Sequence, residues 1–166
     1  MLDLDYSLQQ GLIYGGAITL YLLIMMMTID ARVWGYNDYP EKVKRKVRPP
    51  SESERKLGLL VAAPFFVFMS VYPLYSVYNL KTMIGGSISF ITAFSHLLVL
   101  AAVATFGDLV LLDWLIISQI TPRFEVIEGS EVSDYKDFSH HYIGHVYASL
   151  IILVICALVA YVASSF

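Results

Sequence analysis

The sequence predicts an all-α integral membrane protein, a single transmembrane domain over residues 1–166 that folds as a four-helix transmembrane bundle. Of the 166 residues, 57% are hydrophobic and only 15% are charged, whereas soluble domains average about 25% charged residues. A helix of roughly 20 residues crosses a hydrocarbon core of ~30 Å. Four stretches without Asp, Glu, Lys or Arg reach about that length, at 11–29, 57–80, 82–107 and 142–166.

The distribution of basic residues predicts how the helices are oriented. Eight of the eleven Lys and Arg residues lie between the first and second apolar stretches, Lys81 alone lies in the second connection, and Arg123 and Lys136 lie in the third. Basic connections stay in the cytoplasm. We therefore expect cytoplasmic loops at 30–54 and 121–138 and both termini on the non-cytoplasmic side. This orientation predicts a multi-pass protein of the cell membrane.

The first two helices are predicted at about 7–29 and 55–79. The acidic start of the chain argues against a cleaved signal peptide, which needs a basic start, so we expect helix 1 to be retained. Gly11 and Gly15 form one GxxxG motif, which allows close helix approach but also occurs by chance. Ser51 and Glu54 form a capping box that predicts the start of helix 2.

The last two helices are predicted at about 87–120 and 139–164. Helix 3 would be about 50 Å long at ~1.5 Å per residue, which exceeds the bilayer core. Its inner end is therefore expected to bend or to project from the membrane. We expect neutral His96, deep in helix 3, to form a hydrogen bond with a neighbouring helix. Because the bundle is small, we also expect a homo-oligomer.

The basic run at 41–48 predicts a short helix on the membrane surface. It could bind anionic lipid, at ~1 kcal/mol for each charge near the surface, or it could only set the orientation of the helices. Nucleic acid is not an expected partner, because the run is short and no stacking platform accompanies it. The lone Cys156 excludes an internal disulfide and a CxxC metal site.

Polar residues from three helices meet at the predicted cytoplasmic end. His141 and His145 are four residues apart and share one helix face. With Asp108 they form the predicted metal site, since two imidazoles and a carboxylate suit a divalent ion such as zinc or iron. Asp113 lies five residues from Asp108, about 140° around an α-helix, so we do not expect both carboxylates to reach one ion.

Further residues complete the predicted site. His140 and Glu125 are the candidate catalytic residues, because either could move protons. Arg32, Asp113 and Arg123 are the candidate substrate-binding residues. Simpler interpretations compete: Asp108 could pair with Arg32, the histidines could lie among lipid headgroups, and Asp113 could be solvated. A metal-free site could instead hold the phosphate of an anionic lipid.

Three functions follow as hypotheses. The first is a divalent-metal-dependent membrane enzyme that acts on a lipid-like substrate. The second is a non-enzymatic membrane subunit or scaffold, whose polar cluster is structural or binds anionic lipid headgroups. The third is an oligomeric pore or carrier, disfavoured because no Asp, Glu, Lys or Arg lies at mid-membrane depth. Neither a nucleotide-binding P-loop nor a G-x-S-x-G motif is present.

Overall fold

The computed structural model describes residues 3–165, and within that range it contains helices and no strand. Four helices are long and apolar enough to cross a membrane. The α-helices are α1 (Leu4–Thr28), α2 (Ala31–Trp34), α3 (Glu41–Lys44), α4 (Glu52–Met83), α5 (Phe90–Phe106) and α6 (Ser139–Ser165). A π-helix covers Gly107–Ile120, and two 3₁₀ turns cover Arg123–Glu125 and Val132–Tyr135.

The predicted helix starts at about 7, 55, 87 and 139 lie within three residues of the starts of α1, α4, α5 and α6. The Ser51 side chain accepts from the Glu54 backbone N–H, and the Glu54 side chain accepts from the Ser51 backbone N–H, so the predicted capping box is present. The basic surface helix is shorter than predicted. It ends at Lys44 instead of residue 48, because Val47 is buried in a hydrophobic cluster beyond it and Pro49 follows.

The long third helix changes its hydrogen-bonding pattern near its middle. From Gly107 to Ile120 it is a π-helix, far longer than the single-turn π-bulges found in most helices. Its last turn is closed by the Thr121 backbone N–H, which donates to the Ile116 carbonyl at 2.7 Å. Thr121 then takes a left-handed conformation with φ of 51°, and Pro122 prevents the helix from continuing.

Helices α1 and α5 run parallel in close contact. A Cβ at Gly11 would lie 3.1 Å from the Val103 side chain, and one at Gly15 would lie 3.0 Å from the Ala104 backbone. The GxxxG motif therefore faces α5, as close approach requires. Nearer the start of both helices, His96 of α5 lies 2.8 Å from Ser7 of α1.

Helix α4 runs antiparallel to α1 and is buried only near its end. Tyr72 donates to the Gln10 side chain at 2.9 Å, and Tyr14 donates to the Met69 carbonyl at 3.2 Å. The buried residues of α4 are Ser76, Val77 and Leu80. The earlier part of α4 exposes many large apolar side chains.

The two long connections, residues 29–51 and 121–138, fold together over one end of the bundle and are called the cap below. Tyr39 and Tyr135 pack edge to face with their ring centroids 5.0 Å apart. Lys46 and Asp134 form an ion pair at 2.8 Å across the two connections. Buried Val43 and Ile127 fill the space between them. The cap therefore has a small hydrophobic core of its own.

Candidate functional site

The predicted histidines and aspartates meet beneath the cap. His145 Nε2 lies 2.9 Å from Asp113 Oδ2 and 3.7 Å from Asp108 Oδ2. His141 Nδ1 lies 3.3 Å from Asp113 Oδ1. Both histidines come from the first two turns of α6, and both aspartates come from the π-helix. The structure thus brings four predicted residues of the site together.

The π-helix corrects the expected separation of the two aspartates. An α-helix would point residues five apart in different directions, about 140° apart at 3.6 residues per turn. A π-helix repeats its backbone hydrogen bond every five residues, so Asp108 and Asp113 share a face and both reach His145. Both carboxylates face His145 because this segment is a π-helix, whereas the sequence prediction assumed an α-helix. Whether both can reach one ion stays a prediction.

Asp113 lies between the two histidines and orients both. One of its oxygens faces His145 and the other faces His141. His141 Nδ1 faces Asp113, so a neutral His141 with its proton on Nδ1 leaves Nε2 as an acceptor with a lone pair. That Nε2 atom is buried and has no hydrogen-bond partner among the described residues. A buried imidazole held by a carboxylate, with its other nitrogen vacant, is the arrangement that metal-ligating histidines adopt.

These side chains form part of the wall of a cavity of about 940 Å³. Its apolar wall comes from α1, α4 and α6, and its polar end comes from the cap, the start of α4 and the His/Asp cluster. Asp38 and Arg55 line this polar end. Burial raises the pKa of the Asp38 carboxyl, and the nearby charge of Asp113 raises it further.

Glu125 lies in the cap, separated from the cavity by Tyr39. The Glu125 side chain is 0% exposed, and its Oε2 accepts from the Tyr39 hydroxyl at 2.5 Å. Burial raises the pKa of the Glu125 carboxyl to about 7, and the Asp113 charge acts in the same direction. Because Tyr39 lines the cavity, Glu125 contacts the site only through that hydroxyl. Its role in proton transfer stays a prediction.

The other predicted residues lie outside the cluster. His140 is exposed, with its ring centroid 5.8 Å from that of His141. Arg123 is exposed on a 3₁₀ turn of the cap. Arg32 is buried and pairs with Glu54 at 3.8 Å. The catalytic role of His140 and the substrate-binding roles of Arg32 and Arg123 stay predictions, since none of these residues lines the cavity.

Two of the simpler interpretations were wrong. The proposed ion pair between Asp108 and Arg32 is absent, because Arg32 lies beside the start of α4 and Asp108 faces α6. Asp113 is not merely solvated, because both of its oxygens face histidines.

The predicted metal site requires some rearrangement. Within residues 3–165, no group of three or more His, Cys, Asp or Glu side chains is arranged so that it could hold a metal ion as it stands. The hydrogen bond between His145 and Asp113 uses atoms that would otherwise face an ion. The donor set and the vacant His141 Nε2 nevertheless match the chemistry of a divalent ion.

Sequence reasoning missed three residues that line the cavity, namely Trp34, Asp38 and Arg55. They lie in the cap and at the start of α4, so their approach to the histidines depends on how residues 29–51 fold back over the bundle. The sequence contains one indication of these residues, an aspartate among aromatic residues at 34–39. Comparison with family models, with curated proteins and with solved structures gave no match to this chain.

Proposed function

We propose that this chain is a multi-pass membrane protein whose His/Asp cluster binds a divalent cation and acts as an enzyme on a lipid-derived substrate. The observation that carries the proposal is the π-helix, which aligns Asp108 and Asp113 with His145 on the wall of a large cavity. Ligand pockets commonly measure about 300–1,000 Å³, so the cavity suits a substrate of moderate size.

The membrane placement is supported by the surface of the helices. Large apolar side chains are exposed along the middle of α4 and α6, where water would be a poor solvent and lipid a good one. The cap carries the basic run of the first connection, so it is the expected cytoplasmic part. The His/Asp cluster would then lie near the cytoplasmic boundary of the bilayer, within reach of a lipid headgroup.

Each residue of the cluster has a proposed role. His141 offers its vacant Nε2 to the cation, and His145 and Asp108 complete the predicted ligand set. Asp113 orients both imidazoles, a positioning role that typically changes metal affinity by roughly 10–100-fold when it is lost. A bound divalent ion would supply Lewis-acid polarisation of the substrate or an activated water.

A second candidate is the non-enzymatic membrane subunit. It is favoured by the direct contacts of Asp113 with both histidines, which fasten α6 to the π-helix without any metal. In that case the cluster is a structural hydrogen-bond network, and the cavity holds a bound lipid or a partner helix.

Elemental analysis of the purified full-length protein separates the two candidates. We expect about one divalent ion for each chain after dialysis against a zinc-containing buffer, and strong loss of that ion in His145→Gln and Asp108→Asn. Glu128→Gln serves as the control, because Glu128 is exposed and lies outside the cavity wall. Absence of metal from the folded wild-type protein would favour the structural candidate.

A further inference from the structure

We infer that the cavity binds a zwitterionic amphiphile with a phosphate and an ammonium group, and that this ligand enters sideways between α4 and α6. The inference rests on the proposed membrane placement and concerns the site described above. It names the class of substrate, which the His/Asp cluster alone does not define.

The cavity is open on the side where α4 and α6 face each other. Leu59 and Phe66 of α4 line it and are 73% and 61% exposed. On α6, Gly144 and Ala148 line it and are also exposed. A Cβ at Gly144 would have no atom within 4 Å. The opening is therefore lined by exposed apolar residues, as the passage for a hydrocarbon chain must be.

The polar end of the cavity presents one charge of each sign without an ion-pair partner. Across residues 3–165, no carboxylate lies within ion-pair distance of Arg55, whose Nε donates to the Pro50 carbonyl at 3.2 Å. In the same range, Asp38 has no basic side chain within ion-pair distance. The guanidinium of Arg55 suits a phosphate, and the carboxylate of Asp38 suits an ammonium group.

Aromatic and imidazole groups beside these charges also lack partners. Trp34 and Tyr36 line the cavity next to Asp38, and aromatic faces attract ammonium groups. The Trp34 Nε1 atom is buried without a hydrogen-bond acceptor in the described part of the chain. His141 is only 7% exposed, lines the cavity and has a vacant Nε2. These buried unpaired atoms indicate a ligand with both donors and acceptors.

The charge of the cavity disfavours simpler amphiphiles. A purely anionic headgroup would meet Asp38, Asp108 and Asp113. Within residues 3–165, Arg55 is the one lysine or arginine of the cavity wall, and the imidazoles of the His/Asp cluster already face its two aspartates. A purely cationic headgroup would leave Arg55 without a counterion. A phosphoethanolamine-type or phosphocholine-type headgroup satisfies both charges.

The test measures lipid binding by the fluorescence of Trp34 in full-length protein carrying Trp114→Phe, since the chain has only two tryptophans. The probes are oleoyl lysophosphatidylethanolamine, oleoyl lysophosphatidylglycerol and free phosphoethanolamine, each added in a maltoside detergent. We expect the first to bind about tenfold more tightly than the second, the effect of one charge-assisted contact. Equal affinity of the two lysolipids would overturn the zwitterion assignment, and equal binding of free phosphoethanolamine would overturn the lipid assignment.

Variants locate the site. Asp38→Asn should remove the tenfold preference, and Arg55→Gln should weaken both lysolipids. Gly144→Leu should block the opening and reduce binding at least tenfold. Gly16→Leu is its matched control, because a Cβ at Gly16 also meets nothing within 4 Å and Gly16 is exposed away from the cavity. Wild-type binding by Gly144→Leu would show that the ligand does not enter here.

The same titrations on chelator-treated and zinc-loaded protein distinguish this inference from the proposed function. Lipid selectivity without any bound metal would uphold the inference and overturn the metal-dependent function. Stoichiometric metal without lipid selectivity would uphold the metal-dependent function and overturn the inference.

Discussion

Glu125 is a buried residue whose protonation is strongly affected by the fold. It is buried in the cap beside Tyr39, and its Oε1 has no hydrogen-bond partner among the described residues. A neutral carboxyl is more stable there than a carboxylate, because no positive group compensates the lost hydration. The folded state therefore holds this proton more tightly than the unfolded chain does.

We predict that the folded state loses stability as the pH rises from about 4.5 to about 7. The pKa of Glu125 is about 7 in the folded state, against an ordinary 4.5. Below this window Glu125 is protonated in both states. Within it the unfolded chain ionises first, which lowers the free energy of unfolding by about 3 kcal/mol at most. Glu125→Gln should remove this pH dependence in thermal unfolding measured in detergent. The exposed control Glu128→Gln should keep the pH dependence of stability. If Glu125→Gln kept it as well, the raised pKa of Glu125 would be contradicted.

His96 joins three helices through its two ring nitrogens. Ser7 donates its hydroxyl proton to the Asp3 carbonyl at 2.7 Å, so it accepts from His96 Nδ1–H at 2.8 Å. The His96 Nε2 atom then accepts from Ser76 at 2.8 Å. His96 is fully buried, and the neutral, hydrogen-bonded state expected from the sequence agrees with these contacts.

We predict that Ser76→Ala lowers the free energy of unfolding by about 1–3 kcal/mol, because it leaves a buried ring nitrogen without a donor. Ser70→Ala is the matched control, since Ser70 is exposed on the same helix and donates only to the Phe66 carbonyl of that helix. Chemical unfolding of both variants in mixed micelles measures the difference. Equal stability of the two variants would show that the His96 contacts contribute little.

Some site residues could be placed from the sequence and others could not. The shared helix face of His141 and His145 follows from a spacing of four residues, and it needs only local geometry. Asp113 was misplaced because nothing in the sequence from Gly107 to Ile120 distinguishes a π-helix from an α-helix. Asp38 and Arg55 were missed because their approach to the histidines is set by long-range folding of the cap.

At the scale of the elements, the π-helix determines the site. It places residues 108 and 113 on one face, whereas an α-helix would point them about 140° apart. The two geometries therefore predict different consequences when either carboxylate is removed.

We predict that Asp108→Asn and Asp113→Asn each lower zinc affinity at least tenfold, because the π-helix brings both carboxylates to His145. In an α-helix the two carboxylates would point about 140° apart, so only one of the two substitutions would lower the affinity. Isothermal titration with zinc measures both variants, with the exposed Glu128→Gln as the control. Wild-type affinity in either aspartate variant would contradict the π-helical arrangement of the site.

The four long helices themselves were predictable from hydropathy. Stretches of 19 or more residues without a charge leave few alternatives to a membrane-spanning helix, and residues 3–165 contain four helices that are long and apolar enough to cross a membrane. Their ends were less well predicted, since α4 continues to Met83 past the predicted residue 79. No apolar pattern marks where a helix ends in a polar turn, so such ends depend on local hydrogen bonds.

For the whole molecule, the proposed function depends on the orientation of the helices in the membrane. We predict that the cap lies in the cytoplasm and that the α4–α5 turn lies outside the cell. In a Cys156→Ser background, a cysteine at Met83 should react with a membrane-impermeant maleimide in intact cells, and a cysteine at Glu128 should react only after permeabilisation. Both side chains are exposed in the structure, so burial would not explain a failure to react. The opposite pattern would place the cap outside the cell.

The whole fold also explains why the proposed site can serve a lipid-derived substrate. The cap closes the polar end of the cavity, α1 and the π-helix form its inner wall, and the gap between α4 and α6 leaves its side open. A substrate held there would keep its chain in the bilayer while its headgroup contacts the His/Asp cluster.

X-ray absorption spectroscopy of zinc-loaded protein reports the ligands of the ion. A metal site at the His/Asp cluster should give a first shell of nitrogen and oxygen at about 2.0–2.2 Å. The outer-shell scattering should correspond to two imidazoles in the wild-type protein and to one in His145→Gln. A shell of oxygen alone, unchanged by that substitution, would contradict a metal site at the His/Asp cluster.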